Sequence, residues 1–317
     1  MTYFVLGKLI RAILVIFTLS LLTYLILDAT PGSVAASILG PNATPEEIAE
    51  LERSLGLDRS VLIRYLEWLG GVVSGDLGIS YVSRRPVGPT ILAAASVTFP
   101  LIAFGVALSL SVAVISAMLS ARFAQRLPDQ IGGFLTSVTI AVPVFVAGPI
   151  LAYIFAVELG WLPVAGWSPP GRGIGPYLFS IALPVICIAI SEFATYQRLL
   201  RADLIATLDE PFVEAARTRG ISERRILFLH AFRPATIPTM TALGLSIGRM
   251  IGGTVVVENI FNLPGLGMII AQGILSRDVV LVQGVVIVVA SAFVIINTVI
   301  DIAYGLIDPR VRVRESA

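Results

Sequence analysis

The groups that could do chemistry in this chain are few and isolated. His230 is the sole histidine, Cys187 the sole cysteine and Lys8 the sole lysine of 317 residues. A Ser-His-Asp arrangement needs an imidazole beside a nucleophile, and His230 sits instead in a polar stretch between two apolar runs. Zinc-type sites need several imidazole or thiolate ligands, which one histidine and one cysteine do not supply. Cys187 is flanked by Ile186 and Ile188, so it reads as an inert core thiol, and no disulfide can form within the chain. No Gly-rich loop ending in Gly-Lys-Ser or Gly-Lys-Thr is present, and no HExxH motif. The sequence therefore predicts no catalytic residue, no metal ligand and no cofactor held by this chain. What remains is charge and shape arranged for docking and binding.

The richest such arrangement is the polar stretch from Asp203 to Pro238. Asp209 and Glu210 precede Pro211, the combination expected at the positive end and first turn of a helix. Phe212, Ala215 and Ala216 follow at helical spacing around Glu214. Arg217 and Arg219 close the last turn, and Gly220 supplies a left-handed stop. Ser222 is placed to cap a second helix from Arg224 to Phe232, which Pro234 and Pro238 should break or kink. The expected product is a compact helix pair with a small apolar face and basic edges, a docking element within a loop at 203–233.

A second candidate is Arg249, the only charge in the run Ala235 to Val257. At about 1.5 Å per residue it lies roughly 21 Å along that run. A lipid-facing arginine would cost at least ~2.5 kcal/mol, so it requires a partner or water. Two readings stand: an ion pair, with Glu258 or with a carboxylate of another subunit, or a place on a pathway where its fork meets a carboxylate of the solute. Around it, Gly244, Gly248 and Gly252 recur every fourth residue and allow close helix approach, within the chain or across to another subunit.

The elements that position these residues are membrane spans. The chain is 56% hydrophobic and 14% charged, with mean hydropathy +0.90, far from a soluble domain. Its 22 basic and 21 acidic residues nearly cancel, so no nucleic-acid partner is indicated. Leu9 to Leu27 is long enough to cross ~30 Å of hydrocarbon and lacks an Ala-x-Ala site after Asp28, so it reads as a retained first span. Further runs lie between Arg85 and Arg122, Asp129 and Glu158, Arg172 and Glu192, Ala235 and Val257, and Asp278 and Asp301, which makes six. With both termini inside, basic residues in short loops fall overwhelmingly on the inner side.

Between the first two spans, roughly Ala29 to Thr90, lies the one soluble-like segment. Thr44-Pro45-Glu46-Glu47 is a capping-box start, with Ile48, Leu51 and Leu55 as one apolar stripe. Asp58 or Ser60 should open a further helix through Leu62, Tyr65, Leu66 and Leu69. Such helices pack on the outer ends of the spans or form part of a platform for a soluble partner. After the fifth span, Val257 to Gly267 carries Glu258, Phe261, Pro264 and Gly265. The Pro-Gly turn lets Leu266 to Leu275 dip back as a short apolar segment, expected at the pathway's outer mouth, with a plain surface loop as the alternative. The sixth span ends with Asn297, Asp301, Tyr304 and Asp308 on one helical face, read as a structural clamp.

Several of these stretches together resemble one family. Glu214-Ala215-Ala216, three residues and Gly220 are similar to the loop with which permease subunits of ABC importers dock into their ATPase. His230-Ala231, Pro234-Ala235 and Ile237-Pro238 resemble the dipeptide, oligopeptide and nickel branch, as do Gly75-Asp76-Leu77-Gly78, the loop from Val257 to Gly267, and Asp308-Pro309-Arg310. The general pattern has Leu-Pro near Phe232-Arg233; here the pair is Arg233-Pro234, shifted by one. The resemblance implies an all-α type I importer permease. Its parts would be 1–28 (N-terminus and first span), 29–93 (extracytoplasmic helical segment), 94–307 (five-span core) and 308–317 (cytoplasmic tail). It also implies a second permease subunit, two ATPase subunits that hold ATP and Mg, an extracytoplasmic solute-binding protein, and a bacterial inner-membrane location. Peptide is the expected solute, with nickel, glutathione or another small solute as the alternative. A stand-alone secondary transporter or channel is the rival class; it needs acidic or histidine sites near mid-membrane, and none is expected here.

Overall fold

The computed structural model describes residues 2–30 and 32–307. Asp301 and Tyr304 of the expected polar stripe fall where side chains are not described, and Asp308 with the tail lies outside the described residues. In chain order the helices are α1 (Thr2–Ala29), α2 (Val34–Leu39), α3 (Pro45–Ser54), α4 (Val61–Val73), α5 (Val87–Arg122), α6 (Leu127–Ala141) and α7 (Val144–Ala152). There follow α8 (Ile174–Leu208), α9 (Pro211–Thr218), α10 (Glu223–Arg225), α11 (Phe232–Ile260), α12 (Leu266–Leu275) and α13 (Val279–Ile307). Among the described residues there is no strand, only one isolated bridge between Ile79 and Pro86. Among the described residues five helices are long and apolar enough to cross a membrane. The third expected span is not straight: α6 and the helical stretch Val144–Glu158, which begins with α7, meet at 103°, and the pair makes a sixth span when counted as one. Pro143 is the cause, because it has no N–H and drives Val142 into extended backbone (φ −101°, ψ 111°).

The chain forms two compact units. One comprises Met1–Thr98 and Pro264–Val294. In it Ser33 caps α2, a short helix the sequence reading overlooked. The Thr44 capping box forms as expected: Glu47 N–H donates to Thr44 Oγ1 at 3.3 Å, and the Thr44 N–H donates to Glu47 Oε2 at 2.8 Å. Donation to Glu47 Oε2 from the Thr44 backbone N–H and, at 3.1 Å, from the Thr44 hydroxyl holds the exposed Glu47 carboxyl below its ordinary range. Ser60 stands at the start of α4 without a side-chain cap. Helix α4 packs on α1 through Tyr65, which meets Tyr24 edge-on and shares a 2.8 Å hydrogen bond with Ser20. The expected stripe divides here: Tyr65 and Leu69 turn inward with Val61 and Trp68, whereas Leu62 and Leu66 are exposed. Buried Asp278 accepts from the Ser80 hydroxyl, from Tyr81 N–H at 3.2 Å and from Leu281 N–H at 3.3 Å, so the turn at 78–81 and the start of α13 share one carboxylate.

The other unit comprises Phe99–Leu263 and Ile295–Ala317. Helix α8 is its axis and packs against α6, α7 and α11. The apolar run was expected to end at Glu192, but the helix continues to Leu208, because Phe193, Tyr196, Leu200 and Leu204 prolong a buried face at helical spacing. Asp203 is thus helical, not the first residue of a loop. On the far side, Glu223 to Ile260 runs as one continuous helical stretch, with a π turn at Ile226–Ala231 between α10 and α11. Pro234 and Pro238 do not break it. The wider π turn directly precedes the first proline, which cannot donate to the regular ladder.

Candidate docking and pathway sites

Helix α9 is the shortest route between two long spans and is built to stay there. Glu210 enters it with extended backbone (φ −73°, ψ 146°), and Pro211 takes the first helical position. Val213 and Ala216 turn inward onto Ile226, with Leu208 and Ile221 around them, so α9 is fastened to the roots of α8 and α11. At its end Gly220 has φ +76°, its N–H reaches Arg217 O at 2.9 Å, and Ile221 N–H reaches Ala216 O at 3.2 Å. That pair of bonds, with Ile221 packed back on Ala216, is a Schellman cap. Arg217 braces the turn: its Nε donates to Glu223 at 2.9 Å and a terminal N–H to Leu208 O at 3.3 Å. The Glu223 hydrogen bond raises the pKa of the Arg217 guanidinium. Ser222 begins α10 by backbone geometry but makes no side-chain cap.

The six docking residues read from the sequence therefore divide by direction. Phe212, Glu214 and Ala215 point away from the chain, with Phe212 48% exposed. Ala216 is buried and anchors the helix, Arg217 braces it, and Gly220 ends it. An exposed apolar ring beside a carboxylate, on a helix fixed from below, stands as a rigid knob on the surface.

Along α11 the candidate residues also separate. Gly244 is buried, Gly248 is half-buried, and Gly252 is exposed with no atom within 4 Å of where a Cβ would stand. Within this chain, then, only the Gly244 end of the stripe is enclosed. Arg249 faces Glu192 of α8, Nη2 to Oε2 3.9 Å, and donates to Ser246 Oγ at 3.0 Å. On the sequence alone Glu192 marks the edge of a span, and no acid is expected at mid-membrane. The structure puts it inside α8, about 24 Å from Leu208 at 1.5 Å per residue. The signal that could have revealed it was the apolar periodicity continuing beyond it.

At the end of α11, Glu258 and Phe261 are buried, and Asn262 takes the left-handed conformation (φ +51°). Leu263 N–H returns to Glu258 O at 2.8 Å, a second Schellman turn made without glycine. Within the first unit, Pro264 is exposed and Gly265 buried, and Leu266 N–H donates to Thr98 Oγ1 at 2.8 Å to start α12 over the expected dipping segment. That helix ends in a third such turn at Arg277 (φ +59°). A further pair missed from the sequence is Asp129 with Arg201, bonded through Arg201 Nη2 at 2.8 Å, where Gln125 N–H also donates to the same carboxylate. Among the described residues no cluster of His, Cys, Asp and Glu is suited to hold a metal.

Comparison with known proteins gives this geometry a family. Residues 109–313 match the binding-protein-dependent transport system inner membrane component, and residues 1–102 match the N-terminal model of the same systems. The chain belongs to the binding-protein-dependent transport permeases. A probable peptide ABC transporter permease of Sinorhizobium fredii is 32% identical over 98% of this permease and 100% of its own length. A putative peptide transport system permease of Brucella abortus is 34% identical over 98% and 99%. A glutathione transport system permease of Escherichia coli is 32% identical over 98% and 99%. The permease is thus an all-α, multi-pass membrane component of an ABC transporter.

Proposed function

We propose that this permease forms half of a peptide import pathway in a bacterial inner membrane, with both termini cytoplasmic. The observation that carries the coupling part is α9, a short helix locked to two spans from beneath and presenting Phe212, Glu214 and Ala215 outward. It docks into one of two ATPase subunits, which bind ATP and Mg and do the hydrolysis. A second permease subunit faces α11 across the pathway and packs against it at Gly252. Residues 29–93 take part in receiving a solute-binding protein, and 94–307 form the transporting core. Peptide as solute is supported by the names of the relatives from Sinorhizobium fredii and Brucella abortus. The Escherichia coli relative supports glutathione, itself a tripeptide, as a second reading. Nickel is disfavoured, because a single histidine and a single cysteine ligate a soft metal poorly. The test is uptake by the reconstituted complex of radiolabelled di- and tripeptides, glutathione and nickel, with mass spectrometry of the ligand carried by the co-purified binding protein. Import of nickel alone would overturn the peptide reading.

A further inference from the structure

One side of α11 is uncovered along its length: Thr241, Leu245, Arg249, Gly252, Val256 and Asn259 are exposed and recur at helical spacing. The uncovered side of α5 in the same unit is Phe104, Leu108, Val112, Ile115 and Leu119, which suits hydrocarbon. The Thr241 hydroxyl and the Asn259 amide donate within the helix, to Ile237 O and Val255 O, but the Arg249 guanidinium has most of its fork unused, and lipid offers a charge no partner. Water or polar protein must cover the α11 side.

The guanidinium itself is held in a particular way. Arg249 is 68% exposed at its side chain and the facing Glu192 is 14% exposed. Their 3.9 Å separation gives charge balance without a hydrogen bond. The hydroxyl of the fully buried Tyr196 lies beside Glu192 and Ser246, so the Glu192 carboxylate has a hydroxyl neighbour as well as the guanidinium. Arg249 uses one N–H on Ser246 and keeps the rest of its planar fork open. A cation fixed at one edge, compensated from behind and open in front fits an incoming carboxylate bidentately.

We infer that Arg249 receives the C-terminal carboxylate of the passing peptide, and that Glu192 is the resident carboxylate with which the solute competes. The inference rests on the peptide reading above and adds the place of contact. Competition keeps the contact weak, which a conducting site requires, because a solute bound too tightly would not leave.

The test uses the complete membrane complex of permeases and ATPases in nanodiscs, without the binding protein, and compares trialanine with trialanine amide by saturation-transfer NMR. The unmodified complex should prefer the free acid. Arg249→Gln should weaken trialanine binding about tenfold or more and abolish the preference. Arg249→Lys, which keeps the charge and loses the fork, should retain part of it. Glu192→Gln should tighten trialanine severalfold and leave the amide unchanged. Equal weakening of both ligands in Arg249→Gln overturns the assignment. If that variant does not assemble, Glu192→Gln decides, and unchanged affinity for the free acid overturns it. Uptake by the full transporter separates the two levels: absence of any peptide import defeats the peptide reading and this site with it. Intact import with the preference preserved in Arg249→Gln defeats the site alone.

Discussion

Gly220 offers a clean perturbation of the docking helix. Its φ of +76° is open to glycine and strained for other residues, and nothing lies within 4 Å of where a Cβ would stand. A substitution there meets no steric obstacle, so its cost is the backbone cost alone. For alanine that cost is about 1 kcal/mol, and for β-branched valine about 2 kcal/mol, whereas asparagine tolerates the left-handed region with little penalty. A strain of 1–2 kcal/mol lowers the population of the native α9 ending by roughly 5- to 30-fold relative to frayed alternatives. Fraying releases Ile221 from Ala216 and Val213, the contact that fixes the direction of Phe212 and Glu214. The assay is solute-stimulated ATP hydrolysis and uptake by the reconstituted complex, with co-purification as the control for assembly. Stimulation should fall in the order Gly, Asn, Ala, Val while the complex still assembles. Wild-type stimulation in Gly220→Val, or an Asn variant as impaired as the Val variant, would refute the reasoning.

Three further outcomes follow from contacts described above. Gly284→Ala puts a Cβ within 2.7 Å of Val87 Cγ1 and 2.9 Å of Ile91 Cδ1, and should lower the unfolding free energy by about 1–3 kcal/mol, read as a lower melting temperature in detergent. Gly252→Leu meets open space within the chain, so the isolated permease should melt as wild type while the complex with its partner permease is lost. For Glu47, whose pKa is depressed in the folded chain, the capping-box contribution to α3 is fully present above the unfolded carboxylate pKa. It is lost as pH falls through the folded value, so amide protection over Pro45–Ser54 should hold at neutral pH and drop in acid. Glu47→Gln should remove that pH dependence.

Much of this was legible in the sequence because local rules and global fold agreed. Thr44 with Glu47, Pro211 with Gly220, and Pro264-Gly265 before an apolar decade each specify a helix end through a handful of adjacent atoms. What was not legible depended on contacts between distant residues or on where a helix chose to continue. Glu192 looked like the end of a span because a charge interrupts hydropathy, yet a helix does not stop at a glutamate whose neighbours keep the buried face intact. The break at Pro143 was hidden in an unbroken apolar run, since hydropathy does not register a missing N–H. The left-handed conformations of Asn262 and Arg277 could be inferred for asparagine but not for arginine. Arg249 was recognised as anomalous, and only the fold could supply the carboxylate opposite it.

The way α9 is fastened has a mechanical consequence. Leu208 at the foot of α8 and Ile226 at the foot of α11 close on the same two side chains, Val213 and Ala216. The two long helices therefore share a common base and lie against each other above it. Glu192 stands about 24 Å up one leg and Arg249 about 26 Å above Phe232 on the other. They form a pair of tongs whose handles are squeezed at α9 and whose jaws are the two charges. If a solute parts the jaws by shifting the handles, then by reciprocity a surface that grips the handles changes the affinity at the jaws by the same free energy.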